Sequence, residues 1–209
     1  MKDSIYTICY AIGVGALCAG LLTGAAQFTK PYYEANKRAE EMRNVLAVLE
    51  VPVEPGTSIE DLGRLFESNV ESEKLGNMTV YKLLGDGSSG KPGLVAVEVR
   101  GPGLWAPIGG FVSLESDWNT IRGITFHEQE ETPGLGAEIA GEPFCSQFQG
   151  KQLLNDKGEP ALKIVSSGAE GPLQVDGISG ATITCNRVQD ILHGLAEQVS
   201  EKGLSEEQQ

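Results

Sequence analysis

Positive charge is scarce in this chain of 209 residues: 16 Lys and Arg stand against 29 Asp and Glu, a formal net charge of −13. No basic block offsets that balance, so nucleic-acid phosphates would be repelled and no nucleic-acid partner is expected. Cysteine is also sparse, and Cys9, Cys18, Cys145 and Cys185 form no C-x-x-C pair. The only histidines, His127 and His193, stand apart from any second ligand motif. No metal site built from this chain alone is therefore expected. Internal repeats and low-complexity tracts are lacking too. No nucleophile–base pair stands out, and the adjacent Glu130 and Glu131 read as loop acids, so no catalytic residue is assigned.

What the chain does have is one long apolar run at its start. Residues 4–26 carry no charge, and as a helix they suffice to cross a bilayer core of about 30 Å. Tyr6 and Tyr10 near one end, with Phe28, Tyr32 and Tyr33 after the other, resemble interfacial aromatic belts. Gly20 and Gly24 give a small-xxx-small spacing that permits close approach of a second membrane helix. The run is read as a retained anchor. The alternative is a cleaved signal peptide with a small-residue site ending at Ala26. Lys30, Lys37, Arg38 and Arg43 follow the run and by themselves argue for a cytoplasmic body.

Beyond the anchor, residues 31–50 predict a helix, with Met42, Val45, Leu46 and Leu49 at helical spacing and Pro52 and Pro55 ending it. Strands are expected at 78–84, 94–100, 110–114, 119–127 and 162–166. A short helix is expected near 138–149, where Phe144 and Phe148 lie four apart. The clearest helix comes last, with Val188, Ile191, Leu192, Leu195 and Val199 on one stripe. Strands with helices at the edges and no βαβ alternation indicate an α+β domain. The expected organisation is a transmembrane anchor over 1–29, a juxtamembrane helix and linker over 30–56, one mixed domain over 57–200 and a frayed acidic tail over 201–209.

Immediately before the last helix stands Asp176-Gly-Ile-Ser179-Gly180-Ala181-Thr182-Ile183-Thr184. Gly180 would let the backbone approach a ligand closely. The helix start would offer unpaired N–H groups to an anion, with the hydroxyls of Ser179, Thr182 and Thr184 around it. On chemistry alone a phosphate site and an ordinary Ser/Thr helix cap are equally open readings.

Ser-Gly-Ala-Thr-Ile-Thr resembles the flavinylation motif of a family of FMN-binding subunits: NqrC of the Na+-translocating NADH:quinone reductase and RnfG of the Rnf complex. Asp176 matches the acidic position that opens that motif. Two further segments resemble the same family: Glu131-Thr132-Pro133-Gly134-Leu135-Gly136, and Gly103-Leu104-Trp105 followed by Gly109-Gly110. The last of these is more typical of the quinone-reductase member, whereas the chain's length is closer to the Rnf one. The family's histidine before Glu-Thr-Pro-Gly is replaced here by Gln129, with His127 two residues earlier.

The resemblance implies an FMN joined through its phosphate to Thr184 by a flavin transferase. The cofactor site would comprise Ser179, Gly180, Ala181, Thr182 and Asp176 around that attachment, Leu104, Trp105 and Leu135 against the ring, and Glu131, Thr132 and Gly136 beside it. On its residue type alone, Trp105 reads equally as a plain core residue. The chain would be an electron-carrying subunit of an ion-translocating oxidoreductase, partnered by other membrane subunits, with its domain on the periplasmic side of the inner membrane. A membrane-anchored module holding FMN non-covalently, or a purely structural domain, are the alternatives. Cys145 and Cys185 would form a disulfide in an oxidising compartment or remain two separate buried thiols.

Overall fold

A computed structural model describes residues 2–76, 78–84 and 93–206. The chain divides into two compact units, Met1–Ala39 and Glu40–Gln209. Helix α1 spans Lys2–Val48 and contains Pro31, whose ring removes one backbone donor without ending the helix. Within the first unit every described side chain from Ile5 to Lys30 is exposed, and the apolar stretch has a mean hydropathy of 1.9. By length and composition it can cross a membrane.

In the second unit an antiparallel sheet runs β1–β2–β3–β4–β5 in chain order. Its strands are β1 (Val70–Leu75), β2 (Met78–Leu83), β3 (Val95–Pro102), β4 (Pro107–Leu114) and β5 (Ile121–Glu128). Period-two alternation sends Val97, Val99, Val112, Ile124 and Phe126 to one face. Helix α4 (Thr182–Glu206) covers that face with Val188, Ile191, Leu192, Leu195 and Val199. Burying each of these stabilises the fold by roughly 1.5–3 kcal/mol.

The opposite face carries Tyr81, Phe111 and His127, ring against ring, with Phe66 of α2 (Ile59–Asn69) beyond Tyr81. Here the last turns of α1 bury Val45, Leu46 and Val48, with Leu49 following them. The helical spacing expected over 31–50 thus describes α1 up to Val48, and residues 40–56 sit with the domain, not with a linker. His127 stacks on Phe111 at 4.9 Å with its Nδ1 buried and unpartnered, and that burial lowers its pKa against the raising influence of Glu41, Glu40, Glu128 and Glu98.

Several elements differ from the expectations. Helix α2 starts at Ser58, whose hydroxyl accepts the Asp61 N–H at 3.1 Å. The segment 138–149 is helical but broken into a 3-10 turn (Gly136–Ala140), α3 (Glu142–Cys145) and a second 3-10 turn (Ser146–Phe148). Gly141 and Pro143 interrupt it, while Phe144 and Phe148 still pair at 5.2 Å. A short parallel pair, β6 (Lys163–Val165) with β7 (Gln174–Asp176), precedes α4. Helix α4 runs to Glu206, past the point at 201 where fraying was expected, because Glu, Lys and Leu are good helix formers. Cys145 and Cys185 are both free thiols. Cys145 donates to the Ile139 carbonyl and Cys185 accepts the Ile178 N–H.

Candidate functional site

Three loops separated in sequence meet at the first turn of α4. The first is the β3–β4 turn, closed by Gly103 N–H donating to the Ala106 carbonyl at 3.0 Å. Its root is held by Arg100, which makes two hydrogen bonds to Glu128 at 2.6 and 2.9 Å. Beside this pair a register shift at Gly109/Gly110 bends β4 against β5. A Cβ on Gly110 would stand 2.0 Å from the Thr125 carbonyl oxygen, so only glycine fits there.

The second loop follows β5. Leu135 and Ala137 both donate to the Thr132 carbonyl at 3.1 Å, and Gly134 adopts φ +74 to make the turn. Gln129 accepts the Glu131 N–H on its side-chain oxygen at 2.7 Å. The position that departs from the family pattern therefore helps to set the Glu131 backbone.

The third loop joins β7 to α4. Ala181 N–H donates to the Ile178 carbonyl, Gly180 sits at φ +77, and Cys185 N–H makes an α-helical bond to Ala181. A side chain at Gly180 would meet Leu135 at 2.9 Å. Thr184 consequently lies in the opening turn, where backbone N–H groups lack helical acceptors.

Glu131 links all three. Its Oε2 accepts the Thr184 hydroxyl at 2.8 Å. Its Oε1 accepts the Leu104 N–H at 2.7 Å and, more weakly, the Trp105 N–H at 3.4 Å. Both side chains are enclosed, Glu131 at 5% exposure and Thr184 at 2%. These hydrogen bonds and the positive end of α4 account for a buried carboxylate with no cationic partner of its own in this cluster. Gly136 makes room for the pair: a Cβ there would lie 2.6 Å from Thr184 Oγ1 and 2.9 Å from Glu131 Oε2. At Gly103 a Cβ would lie 2.6 Å from Glu131 Oε1.

Above this pair opens a pocket of about 300 Å³ lined by Leu104, Glu131, Thr132, Leu135, Gly136 and residues 180–184. The expected residues Leu104, Glu131, Thr132, Leu135, Gly136, Gly180, Ala181, Thr182 and Thr184 thus come together. Three expected residues lie elsewhere. Trp105 is no core residue, being 72% exposed beside the pocket and not among its lining. Ser179 opens on a neighbouring cavity of about 510 Å³ that shares Gly180 and Thr182. Asp176 instead accepts the Ala169 N–H at 2.8 Å, while Gln147 bonds both its backbone groups. Gly103 and Gln129 belong to the site through contacts that their place in the motifs hinted at but did not specify. His193 is structural, its Nε2 bonded to the Leu162 carbonyl at 2.6 Å.

Residues 103–197, which hold all three loops, match the family described as the FMN-binding domain. The fold and the pocket thus belong to a flavin-binding protein. Over 97 residues the chain is 50% identical to the C subunit of the Na(+)-translocating NADH-quinone reductase of Vibrio anguillarum, covering 46% of this chain and 38% of that protein. With the C subunit of the Yersinia pestis reductase it shares 43% identity over 113 residues, 53% of this chain and 42% of that one. In these two the match spans about two fifths of the relative's length. The corresponding protein of Neisseria meningitidis aligns over 90% of this chain and 88% of its own length at 29% identity. Among solved structures, NqrC of Shewanella oneidensis superposes with a TM-score of 0.68 and 28% identity, covering 80% of this chain and 98% of that chain. The chain belongs to the FMN-binding family that includes NqrC, the C subunit of the Na(+)-translocating NADH-quinone reductase.

Proposed function

We propose that this chain carries FMN esterified through its phosphate to Thr184 and relays electrons as the NqrC component of a membrane-bound, Na+-translocating NADH-quinone reductase. The observation that carries this is the Thr184 hydroxyl in the floor of a pocket whose walls are the three family segments. Leu104, Leu135 and Ile183 are all partly exposed there, which suits an apolar ring. Backbone N–H groups of the α4 start suit the phosphodiester, since the described lining holds no Lys or Arg. Bound flavin would supply the one-electron chemistry. Thr132, exposed at the rim, and nearby backbone donors would meet the ring's polar edge and tune its reduced forms. Asp176 would act by bracing the 169–176 loop, and Ser179 by flanking Gly180 on the far side.

Residues 1–29 would anchor the chain in the inner membrane, with the domain on the periplasmic side, other subunits of the complex as partners and a flavin transferase for maturation. The relatives' names and the apolar first helix support this. The test is co-expression with flavin transferase, followed by denaturing electrophoresis and intact mass measurement. Wild type should retain flavin fluorescence in the band and gain one FMN less one water, and Thr184→Ala should lose both. A colourless wild-type band would refute the covalent reading, and flavin released wholly on denaturation would favour the non-covalent module.

A further inference from the structure

The Thr184 hydroxyl does more than stand in a pocket: its proton already points at a carboxylate. We infer that Glu131 is the proton acceptor for the modification of Thr184, so that the chain supplies the base that makes its own side chain a nucleophile. This rests on the reading that Thr184 receives FMN.

The two carboxylate oxygens have separate duties. Oε1 is anchored by the Leu104 and Trp105 N–H groups, which leaves Oε2 directed at Thr184 Oγ1, 2.8 Å away. That is the reach a general base needs. The missing side chains of Gly136 and Gly103 keep the carboxylate in contact with its partners, and the near-complete burial of the pair keeps water from competing. A threonine hydroxyl is a poor nucleophile unless a neighbouring base takes its proton. The helix start beside it eases the charge that gathers in the transition state.

The step balances with one co-reactant. Free FMN would have to expel hydroxide, so the donor must be an FMN anhydride of the flavin-dinucleotide class. The Thr184 Oγ1–phosphorus bond forms as the anhydride oxygen–phosphorus bond breaks. The hydroxyl proton passes to Glu131 Oε2, the nucleoside monophosphate leaves, and nothing is oxidised or reduced. Once the ester exists Oγ1 has no proton, so the Oε2 contact persists only while Glu131 keeps the one it received.

The experiment measures covalent flavin incorporation by full-length chain in detergent, with flavin transferase and flavin adenine dinucleotide, at several chain concentrations. Glu131→Gln keeps the shape, but its oxygen must serve the Leu104 N–H, which turns the amide NH2 toward Thr184. Its kcat should fall about 100-fold or more, the range of a lost general base, with KM for the chain changed less than about threefold. Glu131→Asp, which keeps the carboxylate one methylene further back, should recover part of the rate. Near-ultraviolet circular dichroism checks that each variant is folded. Incorporation by Glu131→Gln within about threefold of wild type would overturn the inference, as would a loss confined to KM. Glu131→Asp no faster than Glu131→Gln would overturn it as well, and this comparison serves if Glu131→Gln is misfolded. A wild-type chain that takes up no flavin would instead refute the attachment itself.

Discussion

Two glycines two positions apart offer a controlled probe of how tightly the Thr184–Glu131 pair is built. At Gly136 a methyl group would sit 2.6 Å from Thr184 Oγ1 and 2.9 Å from both Glu131 Cβ and Oε2. Gly136→Ala must therefore push the pair apart. Overpacking of this kind costs about 1–3 kcal/mol, and weakening a hydrogen bond to a charged group adds about 1.5–3 kcal/mol. A total of about 2–5 kcal/mol follows. At Gly134 the same methyl meets nothing within 4 Å, but φ is +74, so Gly134→Ala costs only the left-handed backbone penalty of about 1–2 kcal/mol. The entropy that alanine removes from the unfolded chain is common to both and cancels in the difference. Urea unfolding of the full chain in detergent, followed by tryptophan fluorescence, gives the two midpoints, with equal slopes required for the comparison. Gly136→Ala should unfold at the lower urea concentration and lose covalent flavin, and Gly134→Ala should keep it. If Gly136→Ala is as stable as Gly134→Ala, the pair is looser than these distances require and the tight packing around Gly136 is refuted.

Two further outcomes are expected. Burial depresses the pKa of His127 in the fold, so the unfolded chain takes up its proton first, near pH 6.5. The contribution of neutral His127 is then complete above about pH 6.5 and is lost as pH falls through the depressed folded value. His127→Phe, which keeps a ring against Phe111, should flatten the fall in unfolding free energy over that window, and an unchanged slope would refute the assignment. Burial also pushes the Cys145 thiol up to about 11. In the native chain at pH 8 Cys145 and the buried Cys185 should resist alkylation, and after denaturation without reductant both should label, as free thiols do. A Cys145–Cys185 disulfide detected by mass would contradict this.

How far the fold could be read beforehand depended on whether each element buries a repeating face. Strands β2 to β5 and the α4 stripe do, and their apolar periodicity stood out. Strand β1 is an edge whose middle, Glu71 to Lys74, is exposed, so charge hides the alternation there. Helix α2 fully buries only Leu62, although Ser58 with Asp61 three residues on was an available cap signal. The 138–149 segment had helical composition, but Gly141 and Pro143 decided where each turn stops.

At the site the same division holds. Thr184, its place before a helix and the three glycine-rich segments were determined by the chain alone, because turn and helix-start chemistry is local. Glu131 read as a loop acid, since its partners lie 53 residues downstream at Thr184 and 27 upstream at Leu104. Only the folding of α4 across β3, which brings the hairpin turn, the post-β5 loop and the helix start to one point, made that carboxylate the buried hub of the pocket. Tertiary structure likewise moved Asp176 out of the pocket into a loop brace and left Trp105 in solvent. Hydrogen-bond partners that come from separate strands and helices are set by packing, and no local pattern encodes them.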